Sequence, residues 1–149
     1  MCIRDRFYPD GVQKEMSTGY HGVALSNIKT IYDVATLEGL VPELPTNYVP
    51  NLEKGYAHYL QLMAPDRTLP QFNDCISAPN AKSSLASVTS LFTNRLDFLW
   101  VASDGASGVP PSFTSYNYPW AGYNVMRSGW SWTDTVSYTH LTLPTKRIV

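Results

Sequence analysis

The chain has 149 residues and a formal net charge of −1, which is enough length for one ordinary domain or for parts of two. This balance argues against general nucleic-acid binding, which requires a basic face, although it leaves room for a local basic cleft. The two cysteines provide neither a metal-ligand pair nor a disulfide framework, and no apolar run approaches the length of a membrane span.

The two ends of the chain predict an origin outside the natural protein. Residues 1–6, MCIRDR, can be encoded by ATG TGT ATA AGA GAC AG, and the reverse complement of that string encodes Thr-Val-Ser-Tyr-Thr-His, which is residues 135–140. We interpret both ends as translated sequencing-adaptor DNA, of the kind that contaminates metagenome assemblies, and set aside residues 1–6 and 135–149. Residues 7–134 carry 7 cations and 11 anions. We expect this region to be a fragment of a longer protein.

The first predicted helix begins at a cap supplied by Ser17 or Thr18 and ends at Gly39. Tyr20 is predicted to lie at the N-terminal end of its buried face, one turn before the apolar residues. That face is an apolar stripe at helical spacing, formed by Ala24, Ile28, Ile31 and Ala35.

Three further helices are predicted after loops rich in proline. The second has Pro50 in its first turn, where proline is tolerated. Its apolar stripe is Leu52, Tyr56, Tyr59, Leu60 and Met63. The third helix is marked by Leu85, Val88 and Phe92, and the fourth by Leu96, Leu99 and Trp100.

From Asp104 onward the composition changes to Gly, Pro, Ser and Tyr, and no period is visible up to residue 120. The string GYNVMRSGW then alternates like a strand, with Tyr123, Val125 and Arg127 on one side. Helical hairpins followed by a long loop and a strand predict a helical domain at residues 7–117 and the start of a β-sheet domain at residues 118–134.

Three strings in the chain resemble motifs of one family. FYPDGVQKEMSTGYHGVAL contains the pattern DG…E…S..YH, and MAPDRTLPQFND is similar to a loop of the form PDG.LP.FGD, with Arg67 in place of the usual glycine. AGYNVMRSGW is similar to a strand that opens the sheet domain. Together they resemble the heparinase II/III-like polysaccharide lyases, a group that includes oligoalginate lyases. The resemblance implies a mainly α fold: a partial α/α toroid followed by the first strand of an antiparallel β-sandwich.

The resemblance also implies β-elimination on an anionic, uronate-containing polysaccharide. A base takes the proton alpha to the uronate carboxyl, and an acid protonates the leaving glycosidic oxygen. Tyr20 matches the family's catalytic tyrosine, and an ordinary phenol, with a pKa of about 10, is competent as an acid but a poor base at neutral pH.

Four further residues are predicted to bind substrate. Gln13 and Glu15 lie a few residues before Tyr20 and are placed to line a cleft. Arg127 could pair with a uronate carboxylate in a bidentate manner, although a strand arginine more often forms a solvated or interdomain ion pair. His21 is also a substrate-binding candidate. Because adjacent helical residues point in different directions, a structural role suits His21 better.

The resemblance further implies a periplasmic or secreted protein. The charge and the lack of a long apolar run predict that neither nucleic acid nor a membrane is a partner. No cofactor is expected in this fragment, and zinc is expected only in the intact protein, where downstream histidines bind it in several family members. The helix that carries the carboxylate-neutralising Asn or His would also lie outside the fragment. We therefore expect the isolated chain to be inactive.

Three alternatives remain open at this point. A toroid glycoside hydrolase needs two opposed carboxylates, and Glu15 has no obvious partner. A non-catalytic carbohydrate-binding or structural module would bury Tyr20 among apolar groups, with hydrogen bonds only to backbone. Finally, helices that have lost their partner hairpins gain little stability, so the fragment would not fold stably alone.

Overall fold

A computed structural model of the chain describes residues 6–140. These residues form four α-helices, a short 3-10 helix at Val41–Glu43 and a three-stranded antiparallel sheet. The helices are α1 Thr18–Leu37, α2 Tyr48–Leu62, α3 Ala81–Ala86 and α4 Leu96–Ala102, and the strands are β1 Ser115–Tyr118, β2 Tyr123–Arg127 and β3 Val136–His140. Within this described part of the chain, no helix is both long and apolar enough to cross a membrane.

Both predicted ends of α1 are confirmed. At its start the Ser17 hydroxyl accepts a hydrogen bond from the Tyr20 N–H at 3.4 Å, so Ser17 is the cap. At its end Gly39 has a left-handed φ of 70°, and the Leu40 N–H donates to the Ala35 carbonyl at 2.7 Å. This is the Schellman arrangement, in which a residue without a Cβ ends the helix at low cost.

The predicted buried face of α1 is confirmed at two of its four positions, Ile28 and Ala35, and wrong at the other two. Leu25 and His21 are buried, whereas Ile31 is 52% exposed. The cause is the crossing with α2: a Cβ on Gly55 would lie 2.7 Å from a methyl group of Leu25, so the two helices approach where Leu25 fills the gap. Tyr20 lies outside the buried face, and His21 takes the position at the N-terminal end of that face.

Helix α2 forms the centre of the helical region and packs against α1, α3 and α4. Its predicted stripe is confirmed, because all five residues are buried: Leu52, Tyr56, Tyr59, Leu60 and Met63. Pro50 lies in the first turn as expected.

Helix α3 is shorter than its apolar spacing suggests. The three marker residues Leu85, Val88 and Phe92 are buried as predicted, but the regular helix ends at Ala86. Beyond it the chain continues in tight turns, since the Val88 N–H donates to the carbonyl three residues earlier at 3.1 Å.

The fourth helix is present as predicted and its marker Trp100 packs against the core, but the other two marker residues do not face the core. Leu96 and Leu99 are exposed, and the buried residues are Phe98 and Val101. A helix of seven residues is too short for its apolar spacing to show which side is buried.

The sheet has the order β1-β2-β3, with Tyr118 paired to Tyr123 and Val125 paired to Tyr138. The predicted inner face of β2 is confirmed, because Tyr123, Val125 and Arg127 are all buried. This strand is the second of the sheet and not the first, which corrects the prediction. The first strand, β1, lies in the stretch that shows no period in the sequence.

Strand β3 lies within the C-terminal segment that we set aside as adaptor-derived. It pairs with β2 along its length, from Tyr123 opposite His140 to Arg127 opposite Val136. The adaptor origin of that segment, like the domain boundaries, stays a prediction.

Candidate active site

The residues before α1 form a strap across α2, which we define as residues 7–17. Phe7 and Gln13 pair as an isolated bridge, and the Gly11 N–H donates to the Tyr8 carbonyl at 2.9 Å to close the turn between them. Gly11 has a φ of 88°, and a Cβ there would lie 2.7 Å from the carbonyl oxygen of Lys54. The strap backbone therefore rests directly on α2, and only glycine allows this approach.

Asp10 ties the strap to the sheet. Its carboxylate accepts hydrogen bonds from the backbone N–H groups of Trp120 and Ala121, at 3.0 and 3.3 Å. It also accepts one from the Val12 N–H at 3.4 Å. Asp10 therefore joins the strap to the connection between β1 and β2.

Tyr20 lies in the first turn of α1 and is 49% exposed. The turn is fixed by its neighbours, because the Thr18 hydroxyl donates to the Pro70 carbonyl at 2.7 Å. A Cβ on Gly19 would lie 3.3 Å from the Cys75 sulfur, so the start of the helix packs closely against the loop after α2 that carries Cys75. The exposure does not fit the packing-module alternative, which required Tyr20 to be sealed among apolar groups.

His21, the next residue, is buried, whereas Tyr20 is exposed. Its Nε2–H donates to the carbonyl of Gly55 at 2.9 Å, while Nδ1 has no hydrogen-bond partner. Burial lowers the pKa of His21 to about 4, and the bond to the Gly55 carbonyl opposes that shift only in part. His21 is therefore neutral at pH 7, and it joins α1 to α2.

His58 on α2 lies 4.6 Å from His21, ring centre to ring centre, and connects the helices to the sheet. Its Nδ1 lies 3.0 Å from the Tyr118 hydroxyl, which donates to the Gln61 side chain at 3.0 Å. Because that hydroxyl has only one hydrogen, Nδ1 must be the donor to it. Nε2 then accepts from the Tyr123 hydroxyl at 3.4 Å. Burial, followed by the nearby His21, lowers the pKa of His58 well below its ordinary value.

Gln13 is buried, and its side-chain oxygen accepts a hydrogen bond from the Glu15 N–H at 2.9 Å. It shapes the strap and presents no exposed amide in this arrangement. Glu15 is exposed and lies 3.6 Å from Arg6. Asn73 donates to the backbone carbonyls of Glu15 and Met16, at 3.0 and 3.2 Å, which fixes the strap against the loop after α2.

Arg127 is separated from these residues and buried between α2 and the sheet. Its Nη2 donates to the carbonyls of Gln61 and Met63, at 2.8 and 3.0 Å, so the guanidinium caps the end of α2. The same group lies 4.1 Å from the centre of the Trp130 ring. Its partners are carbonyl groups and a ring, so Arg127 forms no ion pair among the described residues and has no exposed geometry for binding a carboxylate.

Arg67, which stands where the resembling motif has glycine, adopts a left-handed φ of 70°. This conformation explains why glycine suits the position. Here the guanidinium is buried 4.4 Å from the centre of the Trp100 ring, so cation–π packing offsets the backbone strain.

The sequence did not predict the buried polar network of His58, Gln61, Tyr118 and Tyr123. The inward position of Tyr123 was available from strand alternation, but its partner on α2 is 65 residues away in sequence. His58 carries no signal of its own, because it lies between apolar residues of a buried helix.

Within residues 6–140, no group of three His, Cys, Asp or Glu side chains is placed to hold a metal ion. The zinc that the resemblance implies for the intact protein therefore has no fitting ligand set in this part. No chemical step is assigned to a metal here.

The architecture is that of a helical domain joined to an antiparallel sheet, with a solvent-accessible tyrosine at the start of a capped helix. Heparan sulfate lyase HepC from Pedobacter heparinus has a similar solved structure, with a TM-score of 0.83 and 29% identity. The match covers 93% of this chain and 22% of that one.

The sequence model of the heparinase II/III N-terminus matches residues 2–100, and the chain belongs to this family. A heparin-sulfate lyase of Pedobacter heparinus is 32% identical over 136 residues, which is 90% of this chain and 21% of that protein. One from Bacteroides stercoris is 29% identical over 131 residues, covering 86% of this chain and 20% of the relative. The chain spans about a fifth of the length of these curated relatives.

Proposed function

We propose that this chain is part of a polysaccharide lyase that cleaves a sulfated, uronate-containing glycosaminoglycan by β-elimination. Membership of the heparinase II/III family and the names of the similar heparin-sulfate lyases support this substrate class over alginate. The observation that carries the chemistry is the exposed Tyr20 phenol on a rigidly held first turn.

In the proposed reaction Tyr20 is the general acid. A base removes the proton on C5 of the uronate, the C4–O bond to the leaving sugar breaks, and a C4–C5 double bond forms. The Tyr20 hydroxyl gives its proton to the departing glycosidic oxygen, so no water is consumed. Such proton transfer contributes about 10²- to 10⁴-fold to rate. The base and the group that neutralises the carboxylate are proposed to lie outside this chain.

The buried residues of the site are proposed to position Tyr20. His21 joins the first turn of α1 to the Gly55 carbonyl, and Gln13 holds the strap that enters this turn. Arg127 fixes the sheet to the end of α2. None of these three side chains is free to meet a substrate without leaving its present partners, whereas exposed Glu15 remains a candidate for lining the cleft.

The architecture around the site is proposed from the family. We infer that, in the longer protein, the four helices form part of an α/α toroid and the sheet continues into a β-sandwich. We also propose that this protein is periplasmic or secreted and that the isolated chain is inactive, since one acid without its base and neutraliser retains little transition-state stabilisation.

A chimera tests the proposal. Residues 7–134 replace the matching segment of the Pedobacter heparinus relative, and cleavage of heparan sulfate is followed by the ultraviolet absorbance of the unsaturated uronate. Tyr20→Phe should lower kcat by about 10²-fold or more. Tyr32→Phe, which changes a half-buried tyrosine on the same helix, is the matched control and should leave kcat within about twofold.

Undiminished activity of the Tyr20→Phe chimera would remove Tyr20 from the mechanism. If new reducing ends appeared without unsaturated product, the reaction would be hydrolysis, and the lyase assignment would be wrong.

A further inference from the structure

A groove with a volume of about 460 Å³ runs between the strap and the first half of α2, and we call it the strap groove. Phe7 and Tyr8 form one half-buried wall, and exposed Lys14 and Lys54 lie at the rim. Trp120, from the connection between β1 and β2, covers one side. This volume is in the range of small-molecule and oligosaccharide sites.

The polar wall of the strap groove follows from the sequence of α2. Asn47, Asn51 and Lys54 are spaced by four and three residues, so they lie in one row on the side of the helix opposite its buried stripe. Two amide side chains and an ammonium group are therefore presented together. Amides can both donate to and accept from sugar hydroxyls.

The aromatic wall is held by the main chain. Trp120 is 63% exposed, yet the Asp10 carboxylate accepts hydrogen bonds from its N–H and from that of Ala121. The close approach of Gly11 to Lys54 fixes the strap on the opposite side. The Trp120 indole is thus a large flat surface open to solvent. Its backbone is held by the strap, which in turn rests on α2.

The charge in the strap groove is positive. Among the residues that line it in the described part of the chain, two are lysines and none is a carboxylate. The Lys54 ammonium has a long contact, 3.4 Å, with the Pro9 carbonyl. The acidic Asp10 nearby is directed to backbone N–H groups and does not line the groove.

We propose that the strap groove binds an acidic oligosaccharide, with the sugar ring on Trp120 and its sulfate or carboxylate groups at Lys14 and Lys54. The choice of a glycan rests on the proposed lyase function, and the combination of an indole with amide side chains favours it over an acidic peptide. Tyr20 is not among the residues lining the groove, so this is a second contact region for the polymer, apart from the phenol.

The test is a binding titration of the 149-residue chain with a size-defined heparan sulfate oligosaccharide at low salt. Lys14→Gln with Lys54→Gln should weaken binding about tenfold, because exposed charge pairs each contribute a few-fold and are screened by salt. Trp120→Ala should weaken it about fivefold. Replacing both lysines by arginine should preserve binding, since the charge is retained.

Matched controls exist for both substitutions. Trp132 is 64% exposed, so Trp132→Ala removes an indole of the same accessibility elsewhere. Lys82→Gln removes one charge outside the groove, from an ion pair with Asp104. Neither should change the affinity. Circular dichroism must show the same helix content in all variants, and the same series in the Tyr20→Phe chimera provides a second folded background.

Three results would overturn the proposal: equal affinity of the groove variants and the parent, equal losses in the control variants, or binding of polyglutamate as tight as that of the glycan. The indole N–H signals provide an independent readout, since the glycan should shift that of Trp120 and leave that of Trp132 in place. The outcome is separable from the lyase test. If the groove variants bind like the parent while elimination still depends on Tyr20, only the groove proposal is wrong. If groove binding is confirmed but elimination does not depend on Tyr20, only the lyase proposal is wrong.

Discussion

The buried neutral His21 predicts a specific loss of stability in mild acid. Its pKa in the folded chain is about 4, against 6.5 for the unperturbed side chain. The unfolded chain therefore binds more protons below pH 6.5, and stability contributed by neutral His21 falls as the pH falls from 6.5 towards 4. Linkage gives a loss of about 2 kcal/mol between pH 7 and about pH 5.

The comparison is between the parent and His21→Gln, measured by urea unfolding of the 149-residue chain across this pH range. The amide nitrogen of glutamine can still donate to the Gly55 carbonyl, but it cannot take up a proton. Carboxylates contribute to acid sensitivity equally in both proteins, so the difference between the two curves reports His21 together with its effect on the pKa of His58. The variant should lose about 2 kcal/mol less than the parent over the range. Parallel curves would refute a buried neutral His21.

Three further substitutions test other contacts by thermal or urea unfolding. Gly11→Ala should cost about 2 kcal/mol or more, because φ is left-handed and the added Cβ would also clash with the α2 backbone. Gly39→Ala should cost about 1 kcal/mol, because φ is left-handed but nothing lies within 4 Å of the added Cβ. Equal costs would contradict the close approach of strap and helix. Ser17→Ala should cost about 1 kcal/mol through loss of the cap, and no change would mean that the cap is not formed. Arg127→Met should cost about 3 kcal/mol, since two carbonyls at the end of α2 lose their donor, and a neutral effect would contradict that role.

The sequence predicted α2 well because its stripe is long and every member is large. The cap at Ser17 and the stop at Gly39 were also predictable, since each depends on one residue type and its local geometry. These features are decided within a few residues of chain, and short-range reasoning is sufficient for them.

The sequence failed where a distant contact decides the result. In the first half of α1 the buried position is set by Leu25, which fills the space at Gly55, and Ala24 was predicted in its place. As a result His21, and not Tyr20, begins the buried face. Arg127 illustrates the same limit, because its backbone partners on α2 have no sequence signature.

The motif resemblance located the exposed Tyr20 but not the contacts that hold its segment in place. The Tyr-His pair could be matched as a string, and Asp10 could be assigned to a turn. Neither the link from His21 to α2 nor the bond from Asp10 to the Trp120 N–H could be inferred, since both join segments whose approach is fixed by packing.

The central claim is that Tyr20 delivers a proton to the leaving oxygen, and the most direct measurement changes the leaving group. In the chimera, elimination from heparan sulfate is compared with elimination of fluoride from a 4-fluoro uronate, since fluoride departs without being protonated. We predict that Tyr20→Phe lowers the first rate by about 10²-fold or more and leaves the second within a few-fold of the parent. Equal losses for both substrates, or no loss for either, would contradict the assignment of Tyr20 as the acid.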